Sequence, residues 1–197
     1  MMILNLPSFL RRRGLPKELL ESKEAKIMHI SDTPDNIYPF ILNLIEKTMP
    51  EYIIHTGDLV DNIKLERRPE LKERYAERVK ELLDILENSG AEVYIVPGNE
   101  DSEEVLKKLA KKAQIVQPGD IIKIGSLKLA LTHDPGQLSP PKNVDFILYG
   151  HNFRKLYHGL NGLLNVNFIL LGSKRVVRVN YPDGTNFERG YKPMRGL

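Results

Sequence analysis

The sequence contains no cysteine, which excludes disulfides and thiolate metal ligands, so any metal must be held by oxygen and imidazole. That donor set suits Mn, Fe, Ni or Zn. There is no apolar run long enough to cross a bilayer and no charged, apolar, small-residue leader at the start, so a cytoplasmic protein with no membrane partner is expected. Neither sign of charge dominates: 29 Lys and Arg stand against 26 Asp and Glu, interspersed, for a net charge of +3. A dedicated nucleic-acid surface is therefore not indicated. Repeats, low-complexity tracts and dividing linkers are missing as well. At 197 residues and 41% hydrophobic content, the chain reads as one well-cored domain over 25–197, preceded by an arm over 1–24 that carries Arg11, Arg12 and Arg13 and a short helix near Pro16–Leu20.

From Lys26 onward, apolar strands alternate with helical patterns. Strands are expected at Lys26–Ile30, Tyr52–His55 and Glu92–Val96, and helices over 36–48, 67–89 with Gly90 as its stop, and from Val105 to Ala110. This is the βαβ pattern of a parallel sheet. After Gln117-Pro118-Gly119 the pattern changes to short strands: Ile121–Ile124, Leu127–Leu131, Phe146–Tyr149 and Leu156–Leu160, then an Asn161-Gly162 hairpin turn, Leu163–Asn167, Phe168–Leu171 and Arg175–Tyr181.

Polar side chains collect just after these strands, where α/β folds place their ligand chemistry. Asp32 follows the first strand; Gly57-Asp58-Leu59-Val60-Asp61 the second; Gly98-Asn99-Glu100-Asp101 the third. His133 and His151 each follow an apolar strand of the second half. Each has a plain structural reading on its own. Asp101 with Glu104 matches a helix capping box, His29 and His55 sit within strands and read as structural, and His158 reads as a surface position.

As an ordered set, however, Asp32-Thr33-Pro34, Gly57-Asp58-Leu59-Val60-Asp61, Gly98-Asn99-Glu100, His133 and Gly150-His151-Asn152-Phe153 resemble the calcineurin-like metallophosphoesterases. The pattern of that family is Asp-x-His, Gly-Asp-x-x-Asp, Gly-Asn-His, His and Gly-His-x-His. The small single-domain branch, which includes phosphodiesterases and the retromer subunit of the same fold, is the most similar. The resemblance implies an α/β/β/α sandwich of two facing mixed sheets and a metal centre. It further implies that Asp58 bridges two ions, that Asn99, His133 and His151 complete one metal site, and that Asp32 belongs to the other.

Three positions depart from the family pattern. Pro34 and Phe153 stand where the second site has histidines, and Glu100 stands where a histidine serves as general acid or phosphate ligand. One firmly bound divalent ion rather than two is therefore expected, with Asp35 and Glu100 as loop carboxylates that could replace a lost ligand. Asp58 and Glu100 are the candidate catalytic residues, with Arg154, and also Lys142, as candidate phosphate-binding cations. The implied activity is hydrolysis of a small-molecule phosphate ester, altered or reduced by the incomplete site. The alternative is a non-catalytic scaffold that keeps the fold and binds a protein partner.

Overall fold

Strand β1 (Lys26–Ile30) is buried along its whole length, and its alternating side chains feed two different cores. Met28 and Ile30 point into one, Ile27 into the other. The computed structural model describes residues 14–138, 141 and 143–191; Arg11, Arg12, Arg13 and Lys142 lie outside them. Ahead of β1, helix α1 (Lys17–Glu21) places Leu19 wholly inside the first core.

Helix α2 (Tyr38–Thr48) follows a 3-10 turn at Asp35–Ile37, and Pro39 is accommodated in its first turn, where no intrahelical N–H is required. Strand β2 (Tyr52–His55) leads to a second 3-10 turn at Pro69–Leu71 and to α3 (Lys72–Glu87). The sequence pattern merges that turn and helix into one element over 67–89. The helix stops at its cap Asn88, and Gly90, at φ +83°, turns the chain two residues later. Strand β3 (Glu92–Ile95), α4 (Glu103–Leu109) and β4 (Gln114–Ile115) complete the first half. The α4 cap is Ser102, whose hydroxyl accepts the Val105 N–H (3.4 Å). The capping-box role expected of Asp101 is thus taken by its neighbour, and Asp101 is used elsewhere.

The second half supplies β5 (Ile121–Ile124), β6 (Leu127–Leu131), β7 (Phe146–Tyr149), β8 (Gly159–Asn161), β9 (Val166–Leu170), β10 (Val176–Val179) and the short helix α5 (Thr185–Glu188). Two mixed sheets result. The larger has the order β10-β9-β1-β2-β3-β4, with β1 to β4 parallel and β9 antiparallel to β1 and β10; the smaller has the order β5-β6-β7-β8. Helices α2, α3 and α4 pack on one face of the larger sheet. Ile27, Ile54, Ile169, Leu129, Leu131 and Leu148 fill the space between the sheets.

One expected hairpin is absent. Asn161-Gly162 does not reverse a strand on itself: β8 pairs parallel with β7 in the small sheet, whereas β9 pairs with β1 in the large one, so residues 161–165 carry the chain between sheets. The glycine is needed for a close approach rather than for a turn. A Cβ at Gly162 would stand 2.8 Å from Ser31 Cβ and 2.9 Å from His29 Nε2. The expected strands Leu163–Asn167 and Phe168–Leu171 are correspondingly one strand, β9, and Leu156–Leu160 contracts to Gly159–Asn161. Among the described residues no helix is long and apolar enough to cross a membrane.

Candidate metal centre

The carboxyl ends of β1, β2, β3, β6 and β7 meet at one end of the sandwich, and each releases one polar side chain there. The loops are laced by backbone bonds: Asp32 N–H to Gly57 O (2.9 Å), Thr33 N–H to Asp58 O (2.9 Å) and Gly150 N–H to His133 O (3.0 Å). Asp32 (φ 53°), Asp58 (φ 56°) and His151 (φ 66°) all adopt the left-handed conformation, which costs a non-glycine residue of order 1–3 kcal/mol. Gly150 and Gly98 permit the closest of these approaches, since a Cβ at the first would run into Ser31 Oγ and Asp32 Oδ2 and one at the second into Asp58 Oδ1.

Four of the predicted residues converge. His133 Nε2 lies 3.1 Å from Asn99 Oδ1, 3.2 Å from His151 Nδ1 and 3.3 Å from Asp58 Oδ2, and His151 Nδ1 is 3.1 Å from Asn99 Oδ1. Three of the side chains are oriented from behind, and His151 is held by its backbone. His133 Nδ1–H donates to the Thr56 carbonyl (2.7 Å), which leaves Nε2 as the free nitrogen of the neutral ring. Asn99 Nδ2 donates to Glu66 (2.9 Å), turning Oδ1 inward. Asp58 Oδ1 accepts the Glu100 N–H (2.9 Å), while His151 donates its N–H to Asp32 Oδ2 (3.1 Å) and accepts the Tyr191 hydroxyl on its carbonyl (3.0 Å).

Two imidazole nitrogens, an amide oxygen and a carboxylate face one another at this range, a donor set suited to a cation. Without a metal, a proton fills that role. Burial alone would lower His133 and raise Asp58, but their contact outweighs burial on both sides, lifting His133 to about 10 and holding Asp58 below its usual value. A metal held by these donors would take the place of that proton.

A second group lies against the first. Donor oxygens of Asp32, Asp58 and Asp61 fall within 4.8 Å of one another, and all three residues are buried. Burial, then repulsion from Asp32 and Asp58, pushes Asp61 up to about 7; burial likewise raises Asp32. Lys64 pairs with Asp61 Oδ1, while Asp61 Oδ2 has no hydrogen-bond partner.

This predicts a measurable difference in metal-free protein. The folded state keeps a proton on Asp61 between its unfolded value of 3.8 and about 7, so the wild type loses stability as pH rises through that window. Asp61→Asn removes the titration. Its stability relative to wild type should rise by at least about 1 kcal/mol between about pH 4 and about pH 8 in urea unfolding, because a tenfold difference in proton affinity between folded and unfolded chains is worth about 1.36 kcal/mol. An offset that does not change with pH would contradict this.

The remaining predicted positions fall outside the four-residue cluster. The Glu100 carboxylate is turned to accept the Glu66 N–H (2.8 Å), and burial raises it. Asp35 is engaged by Asn62 (2.9 Å) and Arg78 (3.3 Å), so the carboxylate that joins Asp32 and Asp58 is Asp61. Phe153 is exposed and stacks edge-on against Tyr191 (4.8 Å), and Arg154 is exposed beside it. His29 and His55 are structural, as expected. Both are wholly buried, hydrogen-bonded to Thr56 and Thr33 (2.9 Å each), and held neutral by burial, near 3.

Three supporting residues stand outside the site expected from sequence: Asp101 matches a helix cap there, and Arg189 and Tyr191 lie in no motif. Asp101 accepts the N–H groups of Asp58 (2.7 Å), Leu59 (2.9 Å) and Gly98 (2.8 Å) and the Tyr75 hydroxyl (2.9 Å). Arg189 donates to the backbone carbonyls of Asp32 (2.6 Å) and Leu163 (2.7 Å), and Tyr191 braces His151.

Residues 25–123, half of the chain, match the family model for calcineurin-like phosphoesterases. The chain belongs to the calcineurin-like phosphoesterase family. The matched segment contains Asp32, Asp58 and Asn99; His133 and His151 come from beyond it, brought in by the small sheet. Among solved structures, the chain is similar to Yfce, a phosphoesterase from E. coli, with 17% identity over 79% of this chain and 98% of that one and a TM-score of 0.51. It is also similar to TT1561 of Thermus thermophilus, with 9% identity over 80% of this chain and 99% of that one and a TM-score of 0.50. At these identities the likeness is one of fold. No curated protein matches the sequence. Family membership implies use of a divalent metal, and the Asp58, Asn99, His133 and His151 donors fit one: three are oriented from behind and all four converge.

Proposed function

We propose that this chain hydrolyses phosphodiesters of small molecules, using one firmly held divalent ion (Mn, Ni, Fe or Zn) at Asp58, Asn99, His133 and His151. The observation that carries this reading is the convergence of those four donors, with His133 Nε2 left bare by the Thr56 carbonyl. The bound ion supplies an activated water and withdraws charge from the phosphoryl oxygens. Asp32 positions His151 through its N–H, and the Glu100 N–H positions Asp58.

The proposed substrate class is supported by the cleft beside the site, about 360 Å³, whose described lining includes Glu66, Asn99, Pro118, Asp134, Gln137 and His151. Its described lining holds the carboxylates Glu66 and Asp134, which, with His133 neutral as a metal ligand, favours a singly charged diester over a doubly charged monoester. Arg154, on the exposed loop after His151, is the proposed phosphate contact from the solvent side.

Glu100 is the proposed proton donor to the leaving group, because burial beside Asp58 favours its protonated form. Glu100→Gln should lower turnover by about 10²-fold or more for alkyl leaving groups and much less for p-nitrophenolate, since general acid catalysis is typically worth about 10²–10⁴. An equal loss for both substrates would assign Glu100 a structural part only.

The test of the whole reading is metal content together with turnover of bis(p-nitrophenyl) phosphate under Mn, Ni, Co and Zn. A metal-free protein inactive with every ion would favour the scaffold alternative. The observation that speaks for that alternative is the exposed aromatic surface of Phe153 and Tyr157, to which a protein partner could bind.

A further inference from the structure

The family's second metal site has no nitrogen ligand here. Pro34 opens the turn into the 3-10 segment at Asp35–Ile37, and Phe153 lies on the surface against Tyr191. What remains is Asp32, Asp58 and Asp61: three buried carboxylates and no imidazole beyond His133, which belongs to the other group.

A cation already stands there. The Lys64 ammonium is paired with Asp61 Oδ1, and its charge also acts on Asp58 and Glu100. Its backbone is fixed, because the Lys64 carbonyl accepts the N–H groups of Arg67 (3.1 Å) and Arg68 (2.9 Å). On the far side, the space over Gly190 is bounded by Lys64 Cε at 4.0 Å, so the stem runs along the C-terminal segment that also carries Arg189 and Tyr191. Arg189 is a different case: it gives its N–H groups to the carbonyls of Ser31, Asp32 and Leu163 and to the Asn186 side chain, so its charge acts on Asp32 from behind the loop while no carboxylate of the group accepts its hydrogen bonds.

We infer that the Lys64 ammonium is the resident cation of the Asp32, Asp58 and Asp61 group, so that the chain takes one divalent ion at its imidazole site and excludes a second. This rests on the proposed reading of Asp58, Asn99, His133 and His151 as a metal site. An ammonium tethered beside Asp61 repels a divalent ion at close range, and it neutralises part of the charge that would attract one. It cannot reach every oxygen. Asp61 Oδ2 is buried without a partner, and this is the ligand a second ion would use once the ammonium is gone.

The experiment is a manganese count on the full chain. Metal-free wild type, Lys64→Met and Lys64→Arg are titrated with Mn(II) and freed of excess ion; bound metal is then measured by elemental mass spectrometry, and the electron paramagnetic resonance spectrum is recorded. Wild type and Lys64→Arg should hold one Mn per chain with the spectrum of an isolated ion. Lys64→Met, which keeps the stem and loses the charge, should hold two and show an exchange-coupled pair. Two ions in the wild type would overturn the inference, as would one ion in a folded Lys64→Met. If Lys64→Met does not fold, Lys64→Gln takes its place, with circular dichroism as the check on folding. No readout depends on turnover: one isolated Mn in an inactive protein supports the role of Lys64 while removing the proposed activity.

Discussion

Asp58→Asn is expected to abolish metal retention and to lower kcat/KM for bis(p-nitrophenyl) phosphate by at least about 10³-fold, because losing several kcal/mol of metal-derived stabilisation costs a factor of ten for every 1.36 kcal/mol. Asp58 is the one residue shared by both donor groups. Its Oδ2 faces His133 Nε2 at 3.3 Å while the Glu100 N–H fixes Oδ1, so no other carboxylate can be swung into the same place. Asparagine is a better replacement than alanine. The position has φ 56°, which Asn tolerates and Ala resists by roughly 1–2 kcal/mol, so loss of function is not confused with loss of the loop. The metal-free variant should unfold at a lower urea concentration than wild type at neutral pH, since it breaks the buried pair that holds Asp58 below and His133 above their usual values, with only part of the loss offset by relief of repulsion from Asp32 and Asp61. Activity above a tenth of wild type would mean that the reaction does not use this site.

Asp101→Ala should have the largest effect on stability, about 3–5 kcal/mol in urea unfolding of metal-free protein at neutral pH. Its carboxylate is the shared acceptor for the N–H groups of Asp58, Leu59 and Gly98 and for the Tyr75 hydroxyl. Removing one acceptor leaves four donors with no replacement nearby, and a buried unsatisfied group costs roughly 1–3 kcal/mol. Part of this loss is recovered, because burial and the Asp58 charge already push Asp101 up to about 6, so the ionised form is held at a cost. Metal affinity should fall with stability, since the same bonds hold the Asp58 loop and the Asn99 loop together. A loss below about 1 kcal/mol would show that water takes over as partner.

Strands β1, β2, β3, β5, β6 and β7 and the five side chains that follow them were legible from the sequence because both arise from local pattern, apolar runs of four or five residues ending in turn formers; the two-residue β4 was too short to show one. Contacts between distant segments were not. Asn161-Gly162 carries the strongest short-range hairpin signal in the chain, yet the glycine is needed because Ser31 and His29 crowd it, and those neighbours are invisible in local sequence. Asp101 satisfies the capping-box spacing, but the competing demand of three N–H donors from the β2 and β3 loops wins, and Ser102 caps the helix instead. The Asp61–Lys64 pair carried no signal in the sequence, because only the sheet brings Asp32 alongside Asp61. Arg189 and Tyr191 lie far beyond every motif, and only folding of the C-terminal segment back across the β1 loop places them at the site.

The position of β9 has a consequence for how the protein is made. β1 leaves the ribosome long before the neighbour that covers its free edge, Val166–Leu170, paired from Lys26↔Leu170 to His29↔Asn167. During most of translation the nascent sheet therefore exposes an unpaired apolar edge, the kind of surface that recruits a second chain or a chaperone. Closing it requires contacts between residues more than a hundred positions apart, which slows folding relative to a locally paired sheet of the same size. Protein truncated before β9 should consequently aggregate, and the yield of soluble full-length chain should depend on how fast synthesis runs from the first strand to the ninth.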